Sequence, residues 1–154
     1  LPGCAREAGP ATAQNFSDAT ACALDGMLLA DYPGSKAQIR YQGEDAPQFP
    51  CDPVAMFSLL LRPEQVKVVR AAYVQDMEKT DWERPREAWI DAKTAFYVRD
   101  SKRMGAMGPT FGSFARREAA EAFAKANGGK VLGYAEVTPE LADLSGGGAQ
   151  DQRM

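Results

Sequence analysis

Turn-forming residues set the tightest limit on what this chain can fold into. Pro33-Gly34, Pro63, Pro85, the glycines between 101 and 112, and Gly128-Gly129 break it into short segments. MLLADY (27–32) reads as a strand, and KAQIRY (36–41) alternates with period two like a half-buried strand. In FPCDPVAMFSLLLRP, Asp52 then Pro53 form a helix start: a capping carboxylate, then a residue with no amide to satisfy. Pro63 marks the stop. Val54, Phe57 and Leu61 share one face with Met56 and Leu60 beside it, so the helix is apolar nearly all round and must be buried.

The second half follows a similar plan. VKVVRAAYVQDM (66–77) reads as a strand, and WIDAKTAFYVRD (89–100) as one strand or two short ones. SKRMGAMGPTFG (101–112) breaks regularity. ARREAAEAFAKANGG holds a helix with Ala119, Ala120, Phe123 and Ala124 on one face, ended by Asn127-Gly128-Gly129. KVLGYAEV (130–137) is a strand, and Thr138-Pro139 opens a last helical turn. Each helix follows a phenylalanine (Phe49, Phe114) and carries a central one (Phe57, Phe123). The class is α+β: two similar ββα-type units packed as one small domain over 20–144. A polar segment, AREAGPATAQNFSDAT, reads as a tether within 1–19, and 145–154 (SGGGAQDQRM) as a disordered tail.

Composition narrows the chemistry. The 154 residues include no histidine, which removes His-based acid–base catalysis, Ser/His/Asp and Cys/His nucleophiles, and imidazole ligands. A net charge of −3 offers no general attraction to nucleic acid or anionic lipid. No run approaches the roughly 18 apolar residues of a membrane span. The acidic group Asp76, Glu78, Asp81, Glu83 and Glu87 reads as a solvated loop, Arg116 and Arg117 as a solvated helix face, and Trp82 and Trp89 as cover for the core edge.

Sulfur is what remains. CALDGM (22–27) sets Cys22, Asp25 and Met27 within six residues. On a straight strand Cys22 and Met27 point to opposite faces, so they converge only if the chain bends, which Gly26 permits. The same residues also suit a small buried thiol and a core-filling methionine. RMGAMGP places Met104 and Met107 in a glycine-rich loop, either engaged with something soft or folded back on the core. Cys51, beside the helix start, has three readings: a buried thiol, a disulfide partner of Cys22, or a third sulfur near the site. LPGC at positions 1–4 has the shape of a bacterial lipoprotein processing box with Cys4 as the lipidated residue.

In order and spacing, several elements together resemble the NosL family of copper-binding lipoproteins. They are Cys22 with Asp25-Gly26-Met27, DYPGSKAQI, FPCDPVAMF, WIDAKTAFYV, Met107-Gly108-Pro109 and AAEAFAKANGGKV, spanning about residues 20–144. The resemblance implies two similar β/α units and one Cu(I) per chain, bound outside the cytoplasm. It implies a metallochaperone, not an enzyme, supplying the copper–sulfide centre of nitrous oxide reductase. The expected partners are a membrane-associated assembly complex and the reductase apoprotein. The expected location is the periplasm, with a lipid on Cys4 and, from Ala5, the outer membrane. Cys22 and Met27 carry over as copper ligands, with Met107 beside them; Asp25 is either a weak ligand or an orienting group. Some members place the methionine two residues after the cysteine, whereas here it stands five on. Cys51 is not carried over as a ligand. A thiol–disulfide or organometal-handling enzyme using Cys22 and Cys51, and a purely structural envelope lipoprotein, are the competing readings.

Overall fold

Short elements and frequent turns are what the computed structural model shows; it describes residues 12–62, 67–105 and 108–142. Cys4, Pro63, Met107 and the tail from 145 lie outside the described residues. In chain order the elements are β1 (Ala37–Tyr41), α1 (Pro53–Leu60), β2 (Val69–Gln75), β3 (Trp89–Asp91) and β4 (Phe96–Arg99). There follow β5 (Met104–Gly105), β6 (Gly108–Pro109), β7 (Gly112–Phe114), α2 (Arg117–Asn127) and β8 (Lys130–Gly133).

Two antiparallel sheets carry the fold. The first is ordered β1-β2-β3, with Ile39 opposite Ala72 and Val74 opposite Ile90. A bridge between Ile39 and Gln48 adds a short return on the free side of β1. The second is ordered β7-β4-β8, with Phe96 lying between Phe114 and Gly133. Strand, short return, helix and strand therefore recur: β1, Gln48, α1, β2 in one unit and β4, β7, α2, β8 in the other.

The helices form where capping and apolar spacing predict. The Asp52 carboxylate accepts the Ala55 amide at 2.8 Å, and Pro53 occupies the first turn. Pro53, Ala55, Met56 and Phe57 are buried, with Val54, Leu59, Leu60 and Leu61 packed against the core. Phe57 lies among rings of the second unit: Tyr97 at 5.0 Å, Tyr134 at 5.2 Å and Phe111 at 6.0 Å between centroids. Ile39 and Val74 of the first sheet and Tyr97 and Leu132 of the second share this core, so one apolar interior holds both units. On α2, Ala120 is buried and Ala119, Phe123 and Ala124 pack beside it. Trp82 stacks on Phe123 at 5.2 Å. A buried seam also joins the units: the Ser35 and Ser113 hydroxyls are bonded to each other, and Ser113 donates to the Gln75 carbonyl at 2.6 Å.

Several expectations need correction. The tether reading fails from residue 12 onward. Gln14 and Gln38 exchange two hydrogen bonds, of 2.9 and 2.7 Å, and Arg40 Nε donates to the Thr12 carbonyl. Phe16, only 8% exposed, packs edge-on against Phe49 and Trp89. That segment covers the outer face of β1, so the strand is buried on both faces rather than half-buried. MLLADY is no strand: Leu28 makes one bridge to Ala21 and Leu29–Asp31 is a 3₁₀ turn. The glycine-rich stretch 101–112 holds the β5–β6 hairpin and the start of β7. In 130–137 the strand ends at Gly133, and Tyr134–Glu136 turns as a 3₁₀ helix. Asp76 is buried rather than solvated. The solvated reading of Arg116 and Arg117 holds: both are exposed, Arg116 pairing with Glu78 through two bonds, of 3.1 and 2.6 Å, and Arg117 lying over the Phe96 ring.

Because Phe57 belongs to the first unit and touches three rings of the second, Phe57→Ala is expected to cost about 3–5 kcal/mol in urea unfolding. Asp52→Ala, which removes the cap and the carboxylate that offsets the buried Lys36 charge, should cost about 1–2 kcal/mol. Similar small losses for both would show that α1 is not the shared centre of the core.

Candidate metal centre

Residues 21–28 form a tight hairpin. Its bridge pairs Ala21 with Leu28, and one step inward the Cys22 amide donates to the Met27 carbonyl at 2.7 Å. Cys22 and Met27 are thus cross-strand neighbours, whose side chains share a face of the ribbon. The bend that makes this possible lies over 23–26. There the Gly26 amide donates to the Cys22 carbonyl at 2.9 Å, and Gly26 has φ +81°, a conformation other residues rarely adopt. Asp25 closes the turn by accepting the Met27 amide at 3.0 Å. The Leu24 amide points at Cys22 Sγ from 3.4 Å.

The other half of the site comes from α1. Asp52 caps the helix, so Cys51 stands just before its N-terminus, and the Ala23 amide donates to the Phe49 carbonyl at 2.8 Å. This bond draws the hairpin onto the 49–51 segment. Cys22 and Cys51 are joined as a disulfide, with Cα atoms 4.9 Å apart. Of the three readings open for Cys51, the structure has the disulfide. One ligand atom from each of Cys22, Asp25 and Cys51 lies within 4.8 Å of the others, and Cys51 Sγ is 3.7 Å from Asp25 Oδ1. Phe16, Leu29, Phe49 and Ala55 enclose the sulfurs, with Met27 and Trp89 packed alongside. Cys22 is 3% exposed, while residues 23–26 above it are open to solvent.

Beside the site, a charge is buried for a structural purpose. Lys36 Nζ donates to the carbonyls of Tyr32, Pro33 and Gly34 at 2.8, 3.0 and 3.1 Å. It thereby fixes the turn that leads from the hairpin into β1. Burial lowers its pKa to about 8, against the opposing influence of Asp52. Asp52 is itself buried, and burial raises its pKa against the pull of the Ala55 amide and the Lys36 charge.

The methionine hairpin meets this turn on its far side. A Cβ on Gly34 would fall 2.9 Å from the Gly105 Cα, and Trp82 Nε1 donates to the Met104 carbonyl at 3.0 Å. Met104 is 47% exposed. Among the described residues Met104 is not part of the cluster around Cys22 and Met27; Met107 is outside the described residues.

The sequence profile of the NosL family matches residues 13–142. The chain belongs to the NosL family. It is 35% identical over 141 residues to the copper-binding lipoprotein NosL of Stutzerimonas stutzeri, covering 88% of this chain and 73% of that protein. It is 40% identical over 119 residues to the copper-binding lipoprotein NosL of Achromobacter cycloclastes, covering 75% of this chain and 62% of that protein. The crystal structure of the copper chaperone NosL from Shewanella denitrificans superposes with a TM-score of 0.80 at 37% identity, covering 84% of this chain and 98% of that one. These relatives are described as a binding lipoprotein and a chaperone, not as enzymes.

Within this NosL-family fold, Cys22, Asp25 and Met27 do come together, by the bend at Gly26. Cys51, set aside as a ligand on the sequence, is the residue bonded to Cys22. Lys36 and Phe16 were missed. Lys36 carries no local signal, because its partners are backbone carbonyls. Phe16 is the one large apolar residue in an otherwise polar segment, which is signal enough to question the tether reading.

The Lys36 environment gives a pH signature. Below about pH 8 the ammonium is protonated in both folded and unfolded chains. Between about 8 and 10.5 the unfolded chain holds a proton that the folded one has lost, so stability rises with pH through this window. Urea unfolding across it should show the wild type gaining on Lys36→Met. A constant difference between the two would contradict the burial-lowered pKa.

Proposed function

We propose that this chain is a copper carrier of the cell envelope. It takes up one Cu(I) at Cys22 and passes it on for the copper–sulfide centre of nitrous oxide reductase. The observation that carries the reading is the shared pocket of Cys22, Asp25 and Cys51 with Met27 on the same hairpin. The copper-binding and chaperone descriptions of its relatives support it. Cu(I) is soft, and thiolate and thioether donors select it over harder ions. In the reduced chain Cys22 supplies the negative charge and most of the affinity, Met27 an uncharged soft contact. Asp25, pinned by the Met27 amide, orients the turn or binds weakly. Met107 is a further thioether candidate.

A site with few ligands leaves room for an acceptor to attack, so the ion moves by exchange and is never released free. The acceptor is a membrane-associated assembly complex and, through it, the reductase apoprotein. Lipid on Cys4 holds the carrier at the membrane, on the periplasmic side and at the outer membrane. The disulfide fits a second reading, a thiol–disulfide enzyme, but the two cysteines lack the close spacing of a redox motif.

Titration of the fully reduced chain with Cu(I) against a chromophoric chelator tests the reading. One equivalent is expected to bind. Cys22→Ser should weaken binding roughly hundredfold, about 3 kcal/mol, with smaller losses for Met27→Leu and Met107→Leu. Equal competition by wild type and Cys22→Ser would remove copper from this site. Catalytic cycling of the disulfide with protein substrates would favour the enzyme.

A further inference from the structure

We propose that Cys51 gates copper loading: the Cys22–Cys51 dithiol admits Cu(I), and the disulfide refuses it. The inference rests on the Cu(I) reading of this site and adds a control to it.

The fold holds the two sulfurs together by means independent of their bond. Cys22 sits in a hairpin closed by the Cys22–Met27 and Gly26–Cys22 backbone bonds. Cys51 is held by the capped start of α1. The Ala23–Phe49 bond then ties hairpin to helix. The resulting Cα separation of 4.9 Å lies within the range a disulfide spans without backbone movement. Both redox states are therefore accessible to one backbone.

Only one of those states offers copper its main ligand. In the disulfide neither sulfur carries charge, and the donors left in the pocket are a thioether and a carboxylate. That set lacks the soft anion on which Cu(I) selection depends. Reduction breaks the S–S bond by exchange. Two equivalents of an external thiol supply two electrons and two protons, leave as their own disulfide, and yield both cysteine thiols. Cu(I) then displaces the Cys22 proton and keeps its oxidation state. The reverse step needs an external disulfide or an equivalent two-electron acceptor of thiol electrons.

The Leu24 amide points at Cys22 Sγ, and Cys51 stands one residue before the Asp52 cap of α1, so both sulfurs are held in place. The pair is buried, Cys22 3% and Cys51 0% exposed, so exchange with an external thiol requires the exposed turn of residues 23–26 to move aside. Trp89 packs against the same cluster, so its emission reports the state of the pair.

The test uses the full chain in a Cys4→Ser background, where Cys22 and Cys51 are the remaining thiols. Thiol counts and tryptophan emission establish the oxidised and reduced forms before each Cu(I) competition. The reduced chain is expected to bind one Cu(I). The oxidised chain should lose roughly hundredfold in apparent affinity, and a dithiol reductant should restore it. In Cys51→Ser, or Cys51→Ala if the serine variant misfolds, the affinity should be the same before and after the oxidant treatment, whatever its value. Equal binding by oxidised and reduced chains would overturn the gate. So would an oxidant-induced loss in the Cys51 variants as large as in wild type. If the reduced chain does not bind, the copper reading itself fails, which separates the two outcomes.

Discussion

Enclosure of α1 is the constraint on which this structure depends. An eight-residue helix with almost no polar side chain has no stable position at a surface, because every face must leave water. The chain meets that demand on one side: Pro53, Ala55, Met56 and Phe57 are buried, with Phe57 touching aromatic rings of the second unit while the helix belongs to the first, and Val54, Ser58, Leu59 and Leu60 are half-buried. Neither sheet alone is large enough to form such a core. The apolar cluster that Phe57 shares with Ile39, Val74, Tyr97 and Leu132 makes the two units one body.

Fixing the helix also fixes what stands at its start. Asp52 caps α1 at the cost of burying a carboxylate, and Cys51 is thereby held in one place. The hairpin of residues 21–28 is then brought to it by backbone bonds and by the aromatic cluster of Phe16, Phe49 and Trp89. Lys36 stiffens the turn on the other side through three carbonyls. Cys22 and Cys51 thus lie buried beneath a short, exposed turn.

Much of the fold was legible because its signals are local. The Asp52-Pro53 start, the alanine and phenylalanine face of α2 and the extended character of 89–100, left open as one strand or two, all needed only neighbours in sequence. Where a whole segment was misread, the deciding partner is far away. Residues 12–19 read as linker from composition, yet Gln14 is claimed by Gln38 and Phe16 by two distant rings. A lysine opening a strand normally faces water, and only the carbonyl cage makes Lys36 an interior residue. At the site, the bend at Gly26 was readable, because positive φ is a property of one residue. The pairing of Cys22 with Cys51 across 29 positions left three possibilities open until the backbone chose among them.

X-ray absorption at the copper edge of the reduced, Cu(I)-loaded chain tests the central claim most directly. The account predicts a first shell dominated by sulfur, with at least one short thiolate contact that disappears in Cys22→Ser. A shell of oxygen and nitrogen alone, or a spectrum unchanged by that substitution, would contradict it.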